Sequence, residues 1–258
     1  MAVINNQYLE PLRISIYGRS KVGKTTLAAG IPGCHVLNFA NVEVEDLQKV
    51  TIKAHGGDSF VACEKLADAG KFDMNNYHYI VGWSDYKATV GKIVKSLPKR
   101  ESSDPRPWII YDDTTNFRMM ARVQYEDEKN KVPGKMQWGL ISQDQIKTLN
   151  FVNEHMNIVL VHETKDEYVG GEATGNTIPA YFPNVAEATY QAKIFGELYI
   201  ENRKRYFRVD GMAYGDYCDP SFDPVIENPD MLEIFRRCEL PKKFWPVEWQ
   251  QLKDPVEI

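Results

Sequence analysis

Nine residues near the N-terminus constrain this chain more than any others: Gly18-Arg19-Ser20-Lys21-Val22-Gly23-Lys24-Thr25-Thr26. They match the pattern G-x-x-x-x-G-K-[ST] without a substitution. Before them, the alternating Leu12, Ile14 and Ile16 predict a strand. After them, Thr25-Thr26-Leu27-Ala28-Ala29 predicts a short helix closed by Gly30, Pro32 and Gly33. In a strand, loop and helix of this kind, successive backbone N–H groups turn inward and form a concave nest for phosphate oxygens. The helix N-terminus behind adds unpaired donors and the positive end of its dipole. Lys24 is placed to reach the β- and γ-phosphates, and the Thr25 hydroxyl to coordinate Mg²⁺. The stretch from Gly18 to Thr26 therefore predicts a nucleoside triphosphate site.

The remaining 249 residues must support that site, since the chain has 258 in all. That length suits one sizeable α/β domain, or one domain with a small appendage. Hydrophobic residues make up 43%, enough for a packed core and too many for wholesale disorder. The formal net charge is −5, so any contact with nucleic acid has to come from a local patch. Cys34, Cys63, Cys218 and Cys238 are scattered without a C-x-x-C pair, which predicts reduced thiols and neither zinc nor a disulfide framework. Met1 to Asn6 lacks the basic and apolar regions of a signal peptide, and no apolar run reaches transmembrane length. The expectation is a soluble cytoplasmic protein without a membrane partner.

Five short apolar runs, at 12–17, 35–39, 78–82, 107–111 and 157–161, predict strands of a buried, mostly parallel sheet. Helical stretches alternate with them, as βαβ units require. Helices are predicted at 45–53, at 59–69 with Asp58-Ser59 as cap, and at 84–97. A charged helix beginning near Phe117 ends before Pro133-Gly134, and another runs from about 137 to 155 with Trp138, Ile141, Leu149 and Val152 on its core side. Residues 163–180 read as a long loop, and 194–200 with 205–210 as a hairpin about Glu201-Asn202-Arg203-Lys204. The last forty residues are rich in proline and predict an extended tail with a short helix near 230–238.

A second half of the site is legible. Trp108-Ile109-Ile110-Tyr111-Asp112 is an apolar strand ending in a carboxylate, which predicts Asp112 as a Mg²⁺ ligand through water. Asp113 is suited either to polarise the attacking water or to cap the next helix with Thr114. His162 ends the run Ile158-Val159-Leu160-Val161, at the strand edge where open α/β sheets bind ligands. It is a candidate sensor of the γ-phosphate or a histidine satisfied by neighbouring backbone.

The order of GRSKVGKTT, WIIYDD, IVLVH and the hairpin at 194–210 resembles the RecA-type ATPase core. It is similar in particular to the compact phage-encoded ATP-binding proteins associated with recombination and single-strand annealing. The resemblance spans roughly residues 10–210. It implies a P-loop NTPase fold with a RecA-like, mostly parallel sheet flanked by helices, a C-terminal β-hairpin and an extended tail. In domain terms that is an ATPase domain over 1–215 and a tail over 216–258. It further implies ATP with Mg²⁺, ADP as product, and a homo-oligomer with nucleotide between protomers. Relatives supply a basic finger in trans, for which Arg203, Lys204 and Arg205 are the candidates, or else exposed charges on a turn. Relatives also carry a glutamate at the end of the second strand, whereas Val36-Leu37-Asn38-Phe39-Ala40 has none. Glu43 or Glu45 lies a few residues on. The 163–180 segment stands where relatives contact DNA, but Asp166, Glu167 and Glu172 outnumber Lys165, which makes it a poor phosphate binder. Tyr168, Tyr181 and Phe182 are able to stack on single-stranded bases.

Three functions fit this pattern: an oligomeric ATPase of DNA recombination, repair or replication, encoded by a phage and working in the host cytoplasm; a P-loop kinase of a nucleoside or small molecule; and a nucleotide-gated binding protein with little turnover. The lack of a helical lid rich in arginine counts against the kinase. The missing glutamate favours the gated protein.

Overall fold

The structure, a computed structural model, describes residues 12–45, 49–53, 57–99, 104–129, 131–169, 172–179, 192–214, 219 and 221–252. Its centre is a sheet whose inner strands are buried along their whole length: β1 (Arg13–Tyr17), β6 (Trp108–Asp112) and β7 (Asn157–His162). Such continuous burial is what parallel strands covered on both faces require.

Flanking them are β2 (His35–Phe39), β5 (Tyr77–Ile80), β10 (Ile194–Glu201), β11 (Lys204–Met212) and β12 (Val225–Glu227). Among the described residues the sheet has eight strands in the order β12-β11-β10-β1-β7-β6-β2-β5. The six from β10 to β5 are parallel, and β11 and β12 add antiparallel at one edge. The predicted fold class, a mostly parallel α/β sheet with a C-terminal hairpin, is the one observed.

Successive side chains of a strand point to opposite faces, so each strand feeds two cores. Ile14, Ile16, Val159, Val161, Ile194 and Leu198 meet α1 (Lys24–Ala28) and, from the C-terminal segment, Phe235, Phe244 and Trp245. On the other face, Leu37, Ile109, Tyr111, Ile158 and Leu160 meet α3 (Trp83–Ser96), α4 (Thr114–Lys129) and α5 (Lys135–His155). Trp83, Tyr86, Phe117 and Phe39 form an aromatic cluster there, with centroids 4.9–5.8 Å apart. The expected core stripe of the long helix holds at Ile141, Leu149 and Val152, while Trp138 lies half-buried beneath the cations of Arg118 and Arg122.

Two sequence expectations are corrected. The described residues of the predicted helix at 45–53 are strands instead: β3 (Asn41–Glu45) and β4 (Lys49–Lys53) pair antiparallel. Val42, Val44, Val50 and Ile52 repeat every second residue, and β-branched side chains with that period favour strand over helix. Within the predicted loop at 163–180, β8 (Thr164–Val169) pairs with β9 (Glu172–Pro179). The Gly170-Gly171 pair between them is a hairpin signal in the sequence. The helix α2 (Gly57–Asp68) matches the expected 59–69.

The C-terminal segment adds β12 to the sheet and then forms α6 (Met231–Arg237), capped by the Asp230 carboxylate accepting from the Glu233 amide. A final short helix, α7 (Val247–Gln250), follows. Cys34, Cys63 and Cys238 are buried free thiols; Cys218 lies outside the described residues.

One close approach fixes how β10 meets β11. A Cβ on Gly196 would stand 2.4 Å from the Arg208 carbonyl oxygen and 2.5 Å from the Phe207 ring. Gly196→Ala is therefore expected to destabilise the protein by about 1–3 kcal/mol, read as a lower denaturant midpoint. An unchanged midpoint would mean that the two strands separate freely at this point.

Candidate nucleotide site

The phosphate loop, Asp112, Asp113 and His162 lie at the edge of the sheet where β1, β6 and β7 end. The strand carrying Asp112 is not beside β1; β7 lies between them. The two halves of the site are joined instead by side chains. Thr25 Oγ1 donates to Asp112 Oδ2 at 2.6 Å, across 87 residues of chain.

The loop itself is shaped by Gly23, at φ 95°, and by Lys21, at φ 66°. The left-handed backbone at Gly23 suits a residue without a Cβ. The Lys24 side chain is buried, and its Nζ donates to the carbonyls of Gly18 (2.9 Å) and Arg19 (2.8 Å) and to Glu163 Oε1 (3.0 Å). Gly18 is packed against β10, where a Cβ would sit 2.2 Å from the Leu198 carbonyl oxygen. Ser20, Lys21, Gly23, Lys24, Thr25 and Thr26 all face a cleft of about 520 Å³, and across it stand Asp112, Asp113, Asn116, Asp58, Ser59 and Glu163.

Three hydroxyl and carboxylate groups converge in that cleft. Ser59 Oγ donates to Asp112 Oδ2 at 2.5 Å and lies 3.4 Å from Thr25 Oγ1. An all-oxygen set with one carboxylate is the chemistry that Mg²⁺ selects, so Thr25, Asp112 and Ser59 fit the ion. The sequence marks Ser59 only as part of a helix start. Its approach to Asp112 needs α2 to pack on α1, and no spacing rule reveals that.

Asp113 caps α4 and faces the cleft as well. Its carboxylate accepts from the Asn116 amide at 2.8 Å and from Asn116 Nδ2 at 3.3 Å. Desolvation, reinforced by the neighbouring Asp112 and Glu163 carboxylates, pushes its pKa up to about 7. His162 is fully buried, bonds Thr114 Oγ1 through Nδ1 at 2.7 Å, and is held neutral, its pKa lowered to about 3 by burial and then by Lys24. Burial keeps His162 out of the cleft, behind Lys24 rather than against a phosphate.

The basic hairpin residues separate. Arg203 is exposed at the tip with φ 65°. Lys204 pairs with Glu227 at 2.7 Å on the surface. Arg205 turns to its own chain: its guanidinium lies over Gly23, within 2.9 Å of where a Cβ would be, and it lines the cleft. Within its own chain Arg205 reaches the phosphate loop because β11, which carries it, follows antiparallel on β10, the neighbour of β1. Glu43 sits on β3 opposite Thr51. Tyr181 and Phe182 lie outside the described residues.

Glu163, which no motif marks, pairs with Lys24 at 3.0 Å in the cleft. A phosphate oxygen has to compete with it. Glu163→Gln is expected to tighten ATP binding about threefold to tenfold, with a stability loss near 1 kcal/mol, both readable by calorimetry. Weaker binding would show instead that Glu163 supports the bound state.

A phosphate loop, a carboxylate-ended strand two places away and an all-oxygen ion seat at one sheet edge define a P-loop nucleotide-binding fold. An AAA-domain family matches residues 10–205, and the chain belongs to that family. Among solved structures, the crystal structure of the RadB recombinase is similar, with 13% identity and a TM-score of 0.44 over 80% of this chain and 83% of that one. No curated protein sequence matches. Among the described residues, no helix is long and apolar enough to cross a membrane.

Proposed function

We propose that this AAA-domain protein binds ATP with Mg²⁺ and hydrolyses it, as an oligomeric ATPase of DNA recombination, repair or replication in a phage setting. The observation that carries the ATPase reading is the Thr25–Asp112 hydrogen bond, which brings both halves of the site together beside Lys24. Lys24 exchanges Glu163 for the β- and γ-phosphate oxygens, and Arg205 adds a second positive charge from the same chain. Thr25, Asp112 and Ser59 would hold Mg²⁺, which would neutralise charge on the phosphate oxygens. Asp113 takes a proton from the attacking water as its oxygen bonds to the γ-phosphorus. The bond from that phosphorus to the β-phosphate oxygen breaks, and ADP and phosphate leave.

The partners in this reading are ATP and ADP, further copies of the chain and single-stranded DNA, in the cytoplasm of the cell or host. The resemblance in motif order supports the DNA role, while the acidic balance of 163–180 points any contact to another surface. Arg203 on the exposed hairpin tip is available to a neighbouring protomer. A second reading, a nucleotide-gated protein with little turnover, is favoured by Asn38 at the end of β2, where the resemblance calls for a glutamate.

Phosphate release measured with and without single-stranded DNA separates the two. Release that DNA raises several-fold supports the recombination ATPase. Steady turnover indifferent to DNA removes the DNA role, and ATP binding with no release selects the gated protein.

A further inference from the structure

The phosphate cleft runs out at Thr26 and Arg205, and a second cavity, of about 500 Å³, begins at the same two residues. Its walls are the outer side of α1, the C-terminal end of α2 and the segment that follows β12. Leu66, Leu232 and Trp249 are half-buried there, and Met231 is fully buried beside them. The Trp249 ring is fixed edge-on against Phe235, centroids 5.6 Å apart, and its backbone amide donates to the Pro246 carbonyl at 2.9 Å. The Arg205 carbonyl accepts from the Asn228 amide at 2.7 Å, tying the hairpin to the chain that carries Met231 and Leu232. Arg205 Nε is buried with no hydrogen-bond partner among the described residues.

We propose that this second cavity is the nucleoside half of the site. It would take the base and ribose of a nucleoside triphosphate whose α-phosphate lies at Thr26 and Arg205. The assignment rests on reading the first cleft as the triphosphate site. Together the two cavities form one trough, polar and charged at the phosphate loop, and beyond it apolar and aromatic at Leu66, Leu232 and Trp249, with Lys71, Asp230 and Glu248 also lining it. A nucleotide has that same division, a polyanion at one end and a flat heterocycle at the other. The volume falls in the range of roughly 300–1,000 Å³ that small-molecule sites occupy. Trp249 lines the cavity with an aromatic ring already held by its T-shaped contact with Phe235, so a base would stack without a new loop having to order. The C-terminal segment is then part of the nucleotide site, and the triphosphate is held by both ends of the chain's fold.

The test compares ATP with inorganic tripolyphosphate, which shares the polyanion and lacks the nucleoside. Direct binding of each is measured on the full chain for wild type, Trp249→Ala, Leu232→Trp and Lys24→Ala. Trp249 packs on Phe235 and its loss can unsettle the fold. Leu232 is half-buried against the core, and Leu232→Trp keeps an apolar side chain there while adding bulk to the cavity. Both variants are expected to weaken ATP about tenfold or more while tripolyphosphate stays within about twofold. Lys24→Ala is expected to weaken both ligands. If Leu232→Trp leaves ATP unchanged, or shifts both ligands equally, the nucleoside assignment fails and the phosphate site stands. If Lys24→Ala leaves both unchanged, the phosphate-loop reading fails, and this one with it.

Discussion

Lys24→Ala is expected to lower ATP turnover by at least about a hundredfold to a thousandfold and to weaken ATP binding by about ten- to a hundredfold. The reason lies in the seat that the ammonium occupies. Three oxygens, from Gly18, Arg19 and Glu163, surround Nζ at 2.8–3.0 Å, so the charge is aimed before any ligand arrives. A donor already oriented needs no reorganisation when charge builds on the γ-phosphate, and in a partly dry cleft it acts at reduced screening. Alanine leaves Glu163 without its cation. That carboxylate is about one-third exposed, so it rehydrates, and the folded state should lose only about 1 kcal/mol. Lys24→Arg should not restore turnover, because a planar guanidinium cannot fill a seat built for a compact ammonium. Phosphate release alongside titration calorimetry checks the claim. Turnover above roughly a tenth of wild type would remove Lys24 from the chemistry.

Asp113→Asn should keep ATP binding and cut hydrolysis by about 10²- to 10⁴-fold, the usual scale for loss of a general base. The amide retains an oxygen to accept from the Asn116 amide, so the cap of α4 survives. A separate consequence appears in stability. Desolvation raises the Asp113 pKa from 3.8 to about 7, so the folded state holds this proton more tightly than the unfolded state. The resulting stabilisation is complete below about pH 4 and is lost as pH rises through about 7. Wild type should therefore lose stability relative to Asp113→Asn across that interval, and the variant's profile should be flatter. For the proposed ATP hydrolysis, kcat/KM should rise with an apparent pKa near 7 as the base ionises. Thermal unfolding from pH 5 to 8, run on both proteins, tests the first part. Parallel profiles would show that Asp113 ionises freely in the folded state.

Much of this was legible in the order of residues. Gly18 to Thr26 shows itself because every position answers a local demand: a turn, a phosphate nest, a cation and a hydroxyl. The central strands show as unbroken apolar runs because both of their faces are covered. Asp112 is legible as the polar stop of such a run. The misread segments were those where local signals competed. At 45–53 the period-two Val50 and Ile52 compete with an expectation of βα alternation, and at 163–180 polarity outweighs the Gly170-Gly171 turn.

What the sequence by itself determined, then, is a phosphate loop, an Asp-ended strand and a parallel α/β core, since these depend on spacing within a few residues. Only the tertiary structure decided that Ser59 joins Thr25 and Asp112, that Glu163 holds Lys24, and that Arg205 bends to its own phosphate loop. It also decided that Trp249 and Leu232 stand beside the same trough. These contacts link residues dozens to hundreds of positions apart, through strand order and helix packing. Such packing is set by how whole faces bury one another, and no local pattern encodes it.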